Sequence, residues 1–197
     1  MMIIGITGSA GSGKTAVAKL FSRHWYSRID ADSIGHEMLK KDKRIQKELV
    51  RNFGSGILDK NKNITRQRLG NAVFNDKNKL KKLNSIMHPL IIKEIKNQIK
   101  KIRQKCGNKA KIIVDAPLLL ETKAKNLVDK IIVVKCSKEN ILKRNKKFTR
   151  RQIEKILKAQ MPLNEKLKYA DFVIDNNKDS GHLERQVEKI IEKLNKK

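Results

Sequence analysis

An α/β fold built on a parallel sheet is what this 197-residue chain predicts, and three observations carry that expectation. Apolar runs of strand length alternate with longer stretches whose apolar residues recur at helical spacing. The first apolar run leads directly into a glycine-rich loop and then into a helical pattern. Each candidate strand is separated from the next by helical material, which parallel crossovers require and hairpins do not.

Taken in order, Met2 to Thr7 is a short apolar run that suits a buried strand. A loop from Gly8 to Gly13 follows, and Val17, Leu20 and Phe21 then stand at helical spacing. Further strands are expected at Ser27 to Asp30, Lys111 to Asp115, Lys130 to Lys135 and Phe172 to Asp175. Between the second and third lies a segment, about residues 33 to 110, much longer than one crossover helix needs, so it should hold several helices and form a substrate-binding lobe. Within it, Ile91, Ile95, Ile99 and Ile102 trace a helical face expected to begin just after Pro89, a favourable first-turn residue. Leu183, Val187, Ile190, Ile191 and Leu194 mark an amphipathic terminal helix with lysines on its other side. There is no internal repeat and no low-complexity linker.

Composition narrows the function classes. A hydrophobic fraction of 39%, arranged in strand-length runs and helical stripes, supports one substantial core and argues against disorder. No stretch approaches the roughly 18 apolar residues of a bilayer span, and the amino terminus lacks a secretory pattern. A cytoplasmic protein with no membrane partner is therefore expected. Cys106 and Cys136 lie far apart without His or Cys at metal-ligand spacing, which suits reduced thiols. The net charge of +27 would attract nucleic acid, anionic lipid or a phosphorylated metabolite alike. Because the lysines are spread over nearly every helix and aromatic residues make up only 4%, a solvated surface is expected rather than a specific nucleic-acid face.

The chemistry is carried first by Gly8-Ser9-Ala10-Gly11-Ser12-Gly13-Lys14-Thr15, which fits G-x-x-x-x-G-K-[ST] between a predicted strand and a predicted helix. The glycines let the backbone turn tightly and present N–H groups to phosphate oxygens at the positive end of the next helix. Gly8, Ala10, Gly11, Ser12, Gly13, Lys14, Thr15 and Ala16 are the expected ATP-binding residues. Lys14 should reach the β and γ phosphates, and the Thr15 hydroxyl should help hold Mg2+. A P-loop leaves the reaction open, since switches, motors and small-molecule kinases share it.

Acceptor clues follow at strand ends, which face the ligand crevice of a parallel sheet. Ile29-Asp30-Ala31-Asp32 ends the second strand, and Asp32 could take the proton of an attacking hydroxyl or serve, like Ser33, as a helix N-cap. Asp115 ends the third strand, where it could hold magnesium directly or through water, or cap the strand.

The glycine loop, the Ile-Asp-Ala-Asp strand end, Leu83-Asn84-Ser85-Ile86-Met87-His88-Pro89-Leu90-Ile91, Ala116-Pro117-Leu118-Leu119-Leu120-Glu121 and Ala170-Asp171-Phe172-Val173-Ile174-Asp175-Asn176 together resemble, in order and spacing, the motifs of dephospho-coenzyme A kinases. The resemblance runs from about residue 2 to 177. It implies a P-loop kinase fold with a five-stranded parallel sheet flanked by helices, a helical coenzyme A lobe and a small lid. It implies one domain over residues 1–197, with the core near 1–32, 108–137 and 170–197, the lobe near 33–107 and the lid near 138–169. It also implies transfer of the ATP γ-phosphate to the ribose 3′-hydroxyl of dephospho-coenzyme A, with ATP and dephospho-coenzyme A as partners and no obligate protein partner. Asp32 would orient the hydroxyl or act as base. His88, Pro117, Leu118, Leu119 and Glu121 would surround the acceptor, although His88-Pro89 also reads as a helix junction. Arg144 would stabilise the transferring phosphate, joining Asp32 and Lys14 as catalytic residues, and Asn176 would contact ATP. Arg66 begins a helix that resembles a family segment, or faces solvent.

Two departures stand out. After Arg144 the family continues with a second arginine and acidic residues, whereas this chain reads Asn145-Lys146-Lys147-Phe148-Thr149-Arg150-Arg151 and is shorter. Lys147, Arg150 or Arg151 would have to substitute there, and lysine lacks the planar fork of arginine. His24-Trp25-Tyr26 stands where the family has a glycine-containing turn. Rival readings are another metabolite or nucleoside kinase, a basic nucleic-acid-binding P-loop protein, and a non-catalytic regulator.

Overall fold

A computed structural model describes residues 1–144 and 149–196. Five strands, β1 (Met2–Gly8), β2 (Ser27–Asp30), β3 (Lys111–Asp115), β4 (Lys130–Lys135) and β5 (Phe172–Asp175), form one sheet in the order β2-β3-β1-β4-β5. Every pairing is parallel. The expected strands are all present, with β1 one residue longer than read from sequence.

The chain divides into two compact units, Met1–Asp30 with Lys96–Lys197, and Ala31–Ile95. In the first, α1 (Lys14–Arg23) and the terminal helix α9 (Ser180–Asn195) pack on one sheet face. Ile4, Ile6, Ile113, Ile132 and Val134 from the strands meet Val17, Ala18 and Phe21 of α1 and Leu183, Val187, Ile190, Ile191 and Leu194 of α9, all buried. Burying each such aliphatic or aromatic side chain contributes about 1.5–3 kcal/mol, so the helical stripes read from sequence are what anchor both helices. On the opposite face, Gly5 leaves room for Leu119, since a Cβ there would stand 2.4 Å from Leu119 Cδ2. Three helices, α6 (Lys138–Arg144), α7 (Arg150–Lys158) and α8 (Leu163–Leu167), occupy the described part of the expected lid. Ile141 and Ile153 join α6 to α7 over Cys136, and Thr149 with Gln152 forms a capping box that starts α7.

The second unit holds α2 (Ala31–Lys41), α3 (Lys43–Phe53), α4 (Arg66–Val73) and the first part of α5 (Lys77–Cys106). Asp42 caps α3 by accepting from Arg44 N and Ile45 N, and Thr65 caps α4 by accepting from Arg68 N. Ile45, Leu49, Ile57, Leu69, Val73, Ile86 and Met87 form its core. The boundary between units falls within α5 rather than near residue 107.

The expectation that a helix starts after Pro89 is corrected: α5 runs through Pro89 without a break in its 30 residues. An interior proline costs a helix about 3 kcal/mol by removing one backbone donor and crowding the preceding turn. Ile86 and Met87, buried in the preceding turn, together offset that cost by a comparable or larger amount. Packing therefore overrides the local stop signal. No helix among the described residues is long and apolar enough to cross a membrane.

Candidate active site

The P-loop follows β1 at the carboxyl edge of the sheet. Gly13 has φ +92, and a Cβ there would lie 2.0 Å from Asn176 Nδ2. Only glycine fits both the backbone and the space. Asn176, 8% exposed, donates through Nδ2 to Ser12 O at 2.8 Å, and so braces the loop from beneath. Ala10 N donates to Gln160 Oε1 at 2.9 Å, tying the residues after α7 to the loop. Gly13 provides no side-chain cap to α1, so the helix presents its first turn to the loop without one. A phosphate group suits that position, because backbone N–H groups and the helix dipole both favour an anion there. Lys14, almost fully buried, arches back to donate to Ser9 O at 2.8 Å.

Beside the loop, Thr15 Oγ1 donates to Asp115 Oδ2 at 3.3 Å. Asp115 is 4% exposed and also receives Arg28 Nη2 at 2.8 Å. It therefore serves the loop and a cation rather than capping its own strand. A hydroxyl and a carboxylate side by side, next to a phosphate-binding turn, are hard oxygen donors of the kind a magnesium ion takes when phosphates complete its shell. Among the described residues no group of three or more His, Cys, Asp or Glu could hold a metal by itself. The residues present thus fit an ion that arrives with a nucleotide.

The segment after β3 divides its residues between two kinds of work. Leu119 is fully buried in the core over Gly5, while Pro117 and Leu118 remain half-buried. Lys166, with no exposed surface, donates to Pro117 O at 2.7 Å and pairs with Glu121 Oε1 at 2.9 Å. Met161 N donates to the same Glu121 oxygen at 2.9 Å. Thr7 Oγ1 also donates to Pro117 O, at 3.1 Å. A buried lysine without its carboxylate costs about 3–5 kcal/mol, so this pair fixes the segment after β3 to α8.

Arg144 donates to Asn176 O at 2.7 Å and Lys178 O at 3.2 Å. Reaching a phosphate would require release of those two bonds. Its neighbour Cys136 has a thiol pushed up by burial, with the Arg144 charge acting against that shift. Arg150 and Arg151 start α7 and are exposed, and Arg150 stands 3.6 Å from Glu154. Lys147 lies outside the described residues.

In the second unit, Asp32 stands in the first turn of α2. The reading of Asp32 or Ser33 as the N-cap is corrected, because β2 ends at Asp30 and helix begins at Ala31 with no intervening turn. Ala16, by the same count, belongs to the first turn of α1. Asp32, Ser33, His36, Glu37 and Arg66 line an open cavity of about 180 Å³. Asp32 and His36 are one helical turn apart on α2, and Arg66 enters from the start of α4. Lys41 holds the Glu37 carboxyl below its ordinary range by hydrogen bonding and charge. The cavity wall thus offers two carboxylates, a hydroxyl, an imidazole and a guanidinium. His88 is half-buried inside α5 and is not among the lining residues.

Arg28, Gln160, Lys166 and His36 escaped the sequence reading. Arg28 alone left a signal, since it lies two residues before Asp30 and must share its sheet face. The others are polar residues among many, and only tertiary placement separates them.

A family model described as dephospho-CoA kinase matches residues 2–182. A dephospho-CoA kinase of Fusobacterium nucleatum is 41% identical over 197 residues, covering 98% of this chain and 99% of its own length. A solved structure from Thermus thermophilus superposes with a TM-score of 0.80 at 26% identity, covering 98% of this chain and 96% of that one. A dephospho-CoA kinase from Campylobacter jejuni superposes with a TM-score of 0.62 at 28% identity, covering 97% and 96%.

Proposed function

The chain belongs to the dephospho-CoA kinase family, and from that premise we propose that it transfers the γ-phosphate of ATP to the ribose 3′-hydroxyl of dephospho-coenzyme A, giving coenzyme A and ADP. The observation that carries this reading is the built phosphate loop of the first unit, Gly8 to Thr15; the second unit carries, by itself, an acidic-and-basic cavity headed by Asp32. The loop suits a nucleotide triphosphate. The cavity suits an acceptor that brings both hydroxyls and phosphate.

In this reading the loop backbone and Lys14 bind and orient the ATP phosphates for transfer of the γ-phosphoryl group. Thr15 and Asp115 would hold Mg2+, which when bound would neutralise charge on the phosphate oxygens. Asp32 accepts a hydrogen bond from the 3′-hydroxyl, aims its oxygen at phosphorus and takes up its proton as the bond forms. Arg66 pairs with acceptor phosphate through its planar fork. Pro117, Leu118 and Glu121 border the acceptor, with Leu119 supporting them from the core. Asn176 acts through the loop it braces. Arg144 reaches the phosphates after leaving its two carbonyls. We place the reaction in the cytoplasm, in keeping with two cysteines that are both free thiols.

The test is ADP release from Mg-ATP with dephospho-coenzyme A, set beside adenosine, AMP and no acceptor. Turnover confined to dephospho-coenzyme A is expected. Equal or faster turnover with adenosine or AMP would transfer the assignment to a nucleoside or nucleotide kinase.

A further inference from the structure

Asp30 and Asp115 are directly opposite residues at the carboxyl ends of neighbouring parallel strands. Two carboxylates so placed repel each other, and the cost rises as water is excluded. Arg28 resolves the conflict. It lies two residues before Asp30 on the same strand, so it shares that sheet face. A single nitrogen, Nη2, stands 2.5 Å from Asp30 Oδ2 and 2.8 Å from Asp115 Oδ2. The guanidinium gives up something to do this, because its Nε is buried with no hydrogen-bond partner among the described residues. That cost of about 1–3 kcal/mol shows that the two ion pairs dominate the placement.

The Asp115 oxygen that Arg28 contacts is also the one that accepts from Thr15 Oγ1. Arg28 thus sits against the carboxylate expected to serve the metal, with Asp30 holding it from the other side. A permanent positive charge there does two things. It keeps Asp115 aimed at Thr15 before a nucleotide arrives, and it weakens the pull of Asp115 on a divalent cation.

We propose that Arg28 is an internal counter-cation shared between Asp30 and Asp115, a positioning residue that sets how much Mg2+ the nucleotide complex requires. This rests on the reading of Thr15 and Asp115 as the side of the loop that receives the metal. In this proposal Arg28 acts through Asp115, which it contacts, so its effect is on the metal requirement rather than on the chemical step. Asp30 acts as a divider, drawing part of the guanidinium charge away from Asp115.

The test measures ADP affinity of the full chain by calorimetry across a Mg2+ titration and reads the Mg2+ concentration giving half of the affinity gain. Arg28→Gln should lower that concentration on the order of 10-fold, because one positive charge beside the metal is gone. Arg28→Lys, which keeps the charge, should restore the wild-type requirement to within about twofold. Asp30→Asn should shift it the other way, raising it several-fold, since Arg28 then serves Asp115 alone. This opposed pair separates the proposal from simple structural damage, and Asp30→Asn with Arg28→Lys decides the matter if Arg28→Gln does not fold. Unchanged half-points in the variants, against a clear Mg2+ dependence in the wild type, would overturn the role of Arg28 alone. A wild type whose ADP affinity ignores Mg2+ would overturn both this role and the metal reading beneath it.

Discussion

In the proposed reading, the phosphate loop and the α2–α4 cavity would solve recognition in different ways. The loop works through backbone, with Gly13 at φ +92 and a buried amide beneath it, so its geometry tolerates almost no added atom. The cavity works through side chains carried on helices, and its residues are all exposed. A phosphate is the same ligand in every nucleotide, which allows a rigid, glycine-defined cradle. An acceptor differs between kinases, and helical side chains can be exchanged without disturbing the sheet. The difference teaches that binding of ATP and choice of acceptor should fail separately.

Gly13→Ala should have the largest effect. Its Cβ would collide with Asn176, and the left-handed backbone would be strained, so the N–H cradle must distort. Loss of about 3–4 kcal/mol of phosphate stabilisation, some hundredfold or more in ADP affinity by calorimetry, is expected. Retained affinity would mean that the loop is less rigid than the cavity comparison requires.

Asp32→Asn should lower kcat on the order of 100-fold, while ADP affinity stays within about twofold of wild type. A parallel fall in ADP affinity would erase the separation of tasks. Arg66→Ala should raise the KM for dephospho-coenzyme A about 10-fold, the scale of one charge-assisted hydrogen bond, with the KM for ATP unmoved.

The smallest effect tests a region outside both sites. Trp25, at φ +65, ends α1 in the left-handed conformation and is 92% exposed. Tyr26 N closes the turn by donating to Phe21 O at 3.4 Å. The resemblance calls for a glycine-containing turn over His24-Trp25-Tyr26, and the positive φ of Trp25 is the backbone conformation that glycine adopts without strain. Trp25→Gly should therefore raise stability by roughly 1 kcal/mol, or about 3 °C in Tm, with kcat unchanged. A lower Tm would show that the indole contributes packing that its exposure does not reveal.

The same contrast explains what could be read without coordinates. All five strands were legible, because apolar runs such as Ile112-Ile113-Val114 have few other uses. The phosphate loop was legible because its conformation demands glycines at set positions. Pro89 misled, since the cost of an interior proline is visible locally whereas the burial of Ile86 and Met87 is not. The N-cap reading of Asp32 failed because the helix already begins at Ala31, and nothing local shows that helix follows Asp30 at once. Lys166 could not be found at all. In a chain with 47 Lys and Arg residues, the one that is fully buried against Glu121 has no signature of its own.

The measurement closest to the central claim is the position of the transferred phosphate, read by phosphorus and proton NMR on the product formed from ATP and dephospho-coenzyme A. A new phosphomonoester on the ribose 3′ carbon, formed in equal amount with ADP, is the predicted result. ADP released without that ester, or a phosphate at another hydroxyl, would contradict the account.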